Sequence, residues 1–314
     1  MSVAVASRSF SKHPVLRKEL LRRYPDAKFN DEGLSLNGPS LVSYLGGYEK
    51  AITALETIDD ATLSQLPDLN VIGKYGVGLD MIDLYAMKKH GVKLGWTGGV
   101  NKRSVSELVI SFAVALLHRS VFANAEVRNG KWYQVKGCQL SKCIVGIVGC
   151  GHIGKDVVKL LKPFGCRILS HDILDFPEFY QENSIEAVDL EDLLRYSDVI
   201  TLHLPLDDST INILNRDRLR LIREDAVLIN LARGGLIEEG ALKERLIEGK
   251  LAGAALDVFA VEPLVDLEFL KLDNVLITPH IGGSTEEAIL AMGMAAIKGL
   301  DDPHDPLDFI KKLV

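Results

Sequence analysis

A chain of 314 residues, 47% apolar and 25% charged, has a globular composition and room for two domains with cores of their own, so it needs no disulfide or metal staple. Its net charge of -7 argues against a nucleic-acid partner, and its longest apolar run, Leu108 to Leu117 broken by Ser111, is too short to span a membrane. The opening MSVAVASRSF lacks a signal-peptide pattern, and Cys138, Cys143, Cys150 and Cys166 form no CxxC pair and no zinc-ligand spacing with histidine, which predicts no metal and buried, reduced thiols in a cytoplasmic protein.

Along the first hundred residues, Val3–Ala6, Leu41–Tyr44, Val71–Tyr75 and Lys93–Trp96 read as strands. Pro14–Tyr24, Glu49–Leu55 and Met81–His90 read as helices. Lys74-Tyr75-Gly76-Val77-Gly78 ends one strand. It is either an ordinary tight turn or a place where the N–H groups of Tyr75, Gly76 and Val77 hold a substrate carboxylate, the glycines letting the backbone approach the ligand. A helix from about Ser104 to His118 is apolar nearly all round and must be covered on every side, by its own chain or by a second subunit.

From residue 144 the alternation sharpens. Ile144–Val148, Arg167–His171, Asp198–His203, Ala226–Leu231, Ala252–Leu256 and Val275–Thr278 are mostly apolar on consecutive residues, as parallel strands covered on both faces should be. Between them lie candidate helices at Ile153–Phe164, Leu190–Arg195 and Gly240–Glu248. The pattern predicts an α/β fold of two doubly wound parallel-sheet units. The first covers 1–98 and regains 287–314 through the helix-like Glu286–Leu300, and the second, 99–286, is inserted in it.

Gly149-Cys150-Gly151-His152-Ile153-Gly154 is a GxGxxG between a five-residue apolar strand and a helix. In that setting the glycines give a tight turn and close approach to a pyrophosphate, and the helix N-terminus offers free N–H groups. Asp172 ends the next strand and suits the ribose hydroxyls of a dinucleotide. Ile173 and Leu174 follow it, with no Arg to meet a 2′-phosphate, so NAD is expected over NADP. Three more polar residues close apolar strands: Arg233 before Gly234-Gly235, Glu262 before Pro263, and His280 before Ile281-Gly282-Gly283. Each alone reads as a surface ion pair. Together they bring a guanidinium, a carboxylate and an imidazole to the strand-end edge, where doubly wound sheets bind ligands.

These motifs resemble the D-isomer-specific 2-hydroxyacid dehydrogenases, and most of all their phosphoglycerate dehydrogenase-like branch. The resemblance covers nearly the whole chain. It is strongest from Asn101-Lys102-Arg103-Ser104-Val105-Ser106-Glu107 to His280-Ile281-Gly282-Gly283-Ser284-Thr285, and most specific in Asn230-Leu231-Ala232-Arg233-Gly234-Gly235, Asp257-Val258-Phe259-Ala260-Val261-Glu262-Pro263 and Thr278-Pro279-His280-Ile281-Gly282. It implies a Rossmann cofactor domain inserted in a flavodoxin-like substrate domain, and a homodimer built around the helix after Asn101. By this resemblance Arg233, Glu262 and His280 are catalytic. His152 and Ile153 lie beside the pyrophosphate, and Asp172 at the ribose. His203, Pro205 and Thr210 line the adenosine side. Asp257 lies near the nicotinamide carboxamide, and Ala232 and Gly282 complete the cofactor contacts. Tyr75, Gly76, Val77, Ser43 and Asn101 fall to the substrate.

One departure stands out. Phosphoglycerate-type members place an Arg-Ser pair in the loop after the third N-terminal strand, where this sequence reads as Val42-Ser43-Tyr44. A small unphosphorylated acid is therefore expected. The implied reaction is NAD-dependent interconversion of a D-2-hydroxy acid and its 2-keto acid. Arg233 would hold the carboxylate and polarise the keto oxygen, His280 would give or take the proton, and Glu262 would orient the imidazole and favour its charged form. Three alternatives share the fold: an NAD(H)-sensing binding protein like the corepressors of the superfamily, a phosphoglycerate-specific dehydrogenase, and the formate or phosphite oxidising relatives, which need extra arginines not found here.

Overall fold

A computed structural model describes residues 2–132 and 134–310; residue 1 and residues 311–314, at the ends of the segments assigned above to the first unit, lie outside the described residues, as does residue 133. Two compact units emerge. One runs from the N-terminus to Asn101 and resumes at Thr285; the other is Lys102–Ser284.

The first unit begins β1 (Val3–Val5), α1 (Arg8–Lys12), α2 (Pro14–Arg23), β2 (Lys28–Phe29), α3 (Pro39–Leu45), β3 (Lys50–Thr53), α4 (Asp60–Leu63), β4 (Val71–Lys74), α5 (Leu84–Lys89) and β5 (Lys93–Gly95). Its strands form a parallel sheet in the order β2-β1-β3-β4-β5. Two expectations are reversed here: Leu41–Tyr44 is helix, and Glu49–Leu55 contains the strand β3. Pro39 takes the first helical position behind Gly38, its fixed φ suiting a helix start, and Leu41 and Leu45, one turn apart, bury one face. The apolar spacing of 51, 52, 54 and 55 imitates a helical stripe. Yet all four residues of β3 are buried, because this is an inner strand between β1 and β4 with both faces covered.

The second unit runs α6 (Lys102–Leu117), α7 (Ser120–Arg128), β6 (Ile144–Val148), α8 (His152–Leu161), β7 (Arg167–His171), α9 (Pro177–Asn183), β8 (Ile185–Ala187), α10 (Leu190–Tyr196), β9 (Val199–Leu202), α11 (Arg216–Leu219), β10 (Val227–Asn230), α12 (Glu239–Ile247), β11 (Gly253–Leu256) and β12 (Val275–Ile277). All seven strands are parallel, in the order β12-β11-β10-β9-β6-β7-β8. The winding reverses between β6 and β9, and in open α/β sheets such a switch point is where ligands bind. One face of the sheet buries Leu193, Leu228 and Leu242, and the other buries Val105, Phe112, Ile147 and Val157. Each such side chain contributes roughly 1.5–3 kcal/mol on removal from water.

The apolar helix α6 is covered only in part by its own chain, with Leu108, Ile110, Val114 and Leu116 left half-buried. Val105, Val109, Phe112, Ala113 and Leu117 are buried, and the helix packs on α8, β10 and β11. More apolar surface is open on α7, which buries no residue and leaves Val121 and Val127 about half exposed. The cysteines are free, but Cys138, in the loop before β6, is exposed rather than buried, and Cys166 is partly so. Among the described residues no single helix is long and apolar enough to cross a membrane, and no cluster of His, Cys, Asp or Glu could hold a metal ion.

The last long helix, α13 (Glu286–Gly299), returns to the first unit. Thr285 caps it by accepting from Ala288 N–H. It lies on β4 and β5 backbone to backbone: a Cβ at Gly73 would sit 2.5 Å from the Ala296 carbonyl oxygen, and one at Gly95 would sit 2.3 Å from Gly299 Cα. Only glycine fits there.

Candidate functional site

The glycine turn after β6 is built for close approach. Gly149 has φ +96°, and a Cβ on it would meet the His203 carbonyl oxygen at 2.8 Å. A Cβ on Gly154 would meet the Gly149 carbonyl oxygen at 2.2 Å, so the third glycine lets α8 seat against the turn. Gly151 has nothing within 4 Å of where its Cβ would be, leaving the mouth of the turn open. Gly151 is also the N-cap of α8 and offers no side-chain cap. The N–H groups of Gly151, His152 and Ile153 donate no hydrogen bond among the described residues. Burial, with Lys102 and Lys155 nearby, pushes the His152 imidazole below its ordinary value, so the ring favours its neutral form at neutral pH.

Asp172 stands just past β7. One oxygen accepts from Cys150 N–H at 2.5 Å and the other from Leu174 N–H at 2.8 Å, which ties the acid to the glycine turn. On the far side of β6, His203 follows the last residue of β9. One ring nitrogen lies 3.1 Å from the Thr201 hydroxyl, while the other, Nδ1, is enclosed without a partner among the described residues. Burial pushes this imidazole down to about 3, so it is neutral across the working range. Thr210 is spent on its own turn: its hydroxyl donates to the Pro205 carbonyl and accepts from Asp207 N–H. An open glycine cradle, uncapped N–H groups, a ribose-side carboxylate and an orphaned buried nitrogen together fit a dinucleotide.

The other three groups follow adjacent strands β10, β11 and β12 at the same edge. Asn230 turns the chain at the end of β10, donating to the Arg233 carbonyl at 2.8 Å and accepting from Ala232 N–H at 3.0 Å, and so presents Arg233. Arg233 Nη1 donates to the Ala232 carbonyl at 2.7 Å. Beyond β11, Glu262 Oε1 accepts from Phe259 N–H, and Oε2 lies 3.0 Å from His280 Nδ1. That contact makes Nδ1 the donor and leaves Nε2, which has no hydrogen bond among the described residues, as the nitrogen able to pass a proton outward. The pair is partly open to solvent, with side-chain exposures of 51% and 39%.

His280 holds a left-handed backbone, φ +54°, unusual for a residue with a side chain. Asp257 maintains it. Its backbone carbonyl accepts from His280 N–H, and its buried carboxylate accepts from the Thr278 hydroxyl, Ile281 N–H and Gly282 N–H. Asp257 thus anchors the histidine turn and has both oxygens engaged. Ser104 adds a bond from α6 to the Gly282 carbonyl at 2.5 Å. Asn230 and Ser104 were not singled out in the sequence, because their partners are identified only by the turns they close.

The substrate residues expected in the first unit fare unevenly. Tyr75 N–H donates to the Thr53 carbonyl at 2.8 Å, a sheet bond, so it is not available to a ligand. Gly76, at φ +128°, and Val77 donate no such bond among the described residues. Ser43 is an exposed residue of α3, not part of a strand-end loop. The loop after the third strand of the chain is Ala54-Leu55-Glu56-Thr57, and there Glu56 Oε2 accepts from Ala54 N–H at 2.5 Å. Asn101 is buried with its Oδ1 unpartnered among the described residues.

Residues 110–282 match the family model described as D-isomer specific 2-hydroxyacid dehydrogenase, NAD binding domain. A hydroxypyruvate reductase of Thermotoga maritima is 39% identical over 74% of this chain and 76% of its own length. A D-3-phosphoglycerate dehydrogenase of Methanocaldococcus jannaschii is 41% identical over 72% of this chain, which spans only 44% of that enzyme. Among solved structures, a D-lactate dehydrogenase of Aquifex aeolicus complexed with NAD and lactic acid superposes with a TM-score of 0.83 over 96% of this chain and 94% of its own, at 25% identity.

Proposed function

The chain belongs to the D-isomer-specific 2-hydroxyacid dehydrogenases, NAD-dependent oxidoreductases, and we propose that it reduces a small unphosphorylated 2-keto acid such as glyoxylate, hydroxypyruvate or pyruvate. The observation that carries this reading is the His280–Glu262 pair, 3.0 Å apart with Nε2 directed away from Glu262, at the sheet edge that also bears Arg233 and the glycine turn. NAD, when bound, supplies or accepts the hydride. Gly149, Gly151 and the N–H groups of α8 would hold its pyrophosphate, and Asp172 its ribose. Arg233 holds the substrate carboxylate and draws electron density onto the keto oxygen through its fixed fork of donors. His280 gives its Nε2 proton to that oxygen as it becomes an alcohol, and in oxidation takes it back. Glu262 accepts from Nδ1 and so keeps the ring in the tautomer and orientation that present Nε2.

The loop after β3 favours an unphosphorylated substrate. The resemblance leads one to expect an Arg-Ser pair in that loop, and Ala54-Leu55-Glu56-Thr57 there contains no arginine and one acid. A carboxylate at that place repels a phosphate dianion. A homodimer is supported by α6, whose Leu108, Ile110, Val114 and Leu116 are only partly covered, and by α7, which buries no residue. The free thiols favour a reducing, cytoplasmic setting.

The test is an NADH oxidation screen over glyoxylate, hydroxypyruvate, pyruvate and 3-phosphohydroxypyruvate. The proposal expects the highest kcat/KM among the first three. A clear preference for the phosphorylated acid would overturn the substrate class, and NADH binding without turnover of any keto acid would favour the sensor reading.

A further inference from the structure

The loop that carries Glu262 is clamped at one peptide. A Cβ on Gly234 would lie 1.9 Å from Phe259 C and 2.2 Å from Ala260 N, so the turn after Arg233 presses directly on the Phe259–Ala260 peptide. The N–H of that same peptide, on Ala260, donates to Glu239 Oε1 at 2.6 Å. Two residues further on is Glu262, whose Oε1 binds Phe259 N–H and whose Oε2 reaches His280.

Glu239 is the first residue of α12 and is half-buried. Its surroundings do not favour a carboxylate. Burial pushes it above the ordinary value, Asp266 and Glu262 add to the rise, and only the Ala260 N–H opposes them. The cation nearest along its own helix, Lys243, is engaged by Asp266 and Glu268. Its neighbour Glu238 serves a different segment, accepting from Arg216 N–H at 2.7 Å. Glu239 is therefore an acid kept among acids, with one described hydrogen bond, to the backbone that sets the Glu262 loop.

We propose that Glu239 is a positioning residue: by fixing the Phe259–Ala260 peptide it holds Glu262 against His280. The inference rests on the assignment of His280 and Glu262 as proton donor and partner. The competing explanation is that an acid at the first position of α12 only satisfies the helix dipole. Two substitutions separate them. Glu239→Gln loses the charge but keeps an oxygen at the right reach. Glu239→Asp keeps the charge at the helix start but is one methylene too short for Ala260 N–H.

The experiment measures kcat, KM and melting temperature for both variants, with the keto acid reduced fastest by the wild type, and repeats Glu239→Asp in a Glu262→Gln background. If Glu239 positions the loop, Glu239→Gln keeps kcat within about 3-fold and Glu239→Asp lowers it about 10- to 100-fold at nearly unchanged KM, as expected when a catalytic group is displaced by a fraction of an ångström. In Glu262→Gln the further loss from Glu239→Asp shrinks to about 2-fold, because both act through one carboxylate. The proposal is overturned if Glu239→Asp matches wild type while Glu239→Gln is the poorer enzyme, or if the two losses simply multiply. A Glu262→Gln enzyme indistinguishable from wild type is a separate result: it removes the assignment of Glu262, and this proposal with it.

Discussion

Replacing Gly234 by alanine puts a methyl carbon where the Phe259–Ala260 peptide already lies. At 1.9 Å from a carbonyl carbon, the new Cβ needs roughly 1.5 Å of displacement to reach ordinary van der Waals separation. No flexible side-chain tip stands there to yield; the neighbour is backbone, three residues before Glu262. Moved by even part of that distance, Glu262 leaves hydrogen-bond range of His280, now 3.0 Å away. A misplacement of about 1 Å in a catalytic group costs on the order of 100-fold in rate. Gly234→Ala should therefore lower kcat for keto-acid reduction by about 100-fold and stability by about 1–3 kcal/mol. Gly240, six residues on and at the second position of α12, is the control: nothing lies within 4 Å of its Cβ direction, so Gly240→Ala should keep full activity and gain about 0.5–1 kcal/mol. Steady-state kinetics, thermal melts and NADH fluorescence titration read out both variants. A folded Gly234→Ala enzyme with wild-type kcat would refute the claim that this contact sets the catalytic pair.

His280→Ala should reduce kcat about 100- to 10,000-fold, the range for a lost general acid, with NADH affinity nearly unchanged by fluorescence titration. Near wild-type reduction would move the proton donor elsewhere. Glu262→Gln removes the carboxylate that holds His280 Nδ1, so kcat should fall about 10- to 100-fold as the ring loses its fixed orientation, and a kcat equal to wild type would leave Glu262 without a part in the reaction. Asp172→Ala removes a carboxylate that repels a 2′-phosphate, so the ratio of kcat/KM for NADH over NADPH should narrow; an unchanged ratio would place discrimination outside Asp172. Light scattering at micromolar concentration should give twice 34.5 kDa, whereas a mass of 34.5 kDa would mean that α7 stands uncovered in solution.

The second unit was readable because its signals are local. A strand buried on both faces shows consecutive apolar residues, and the chemistry-bearing residues Arg233, Glu262 and His280 sit within a few positions of the strand ends that carry them. The first unit misled because four-residue segments hold too little periodicity to separate a helix from an inner strand; Pro39 after Gly38 was the signal that could have placed α3. The swap mattered chemically, since it put Ser43 in the loop after the third strand, which is Ala54-Leu55-Glu56-Thr57. Supporting residues were illegible for a different reason. Asp257 grips the histidine turn across more than twenty residues, and Glu239 reaches Ala260 across a comparable gap. Nothing in a single sequence announces such partners. Tyr75 failed because the question of where its N–H goes is answered by a neighbouring strand.

The seating of α13 on Gly73 and Gly95 has a consequence for the order in which the protein can be made. The second unit is one unbroken stretch, Lys102–Ser284, and every strand of its sheet has been synthesised once Ser284 is added. The first unit has all five of its strands by Gly95, yet the helix that covers β4 and β5 is encoded almost two hundred residues later. Domains generally fold as units as they emerge during synthesis, N-terminal ones first. Here the earliest sheet must wait with an apolar face open while a later domain forms and matures. The newborn chain therefore carries its greatest aggregation hazard in its oldest segment, and a ribosome that stops before residue 285 releases a cofactor domain with all its strands attached to a sheet that lacks its cover.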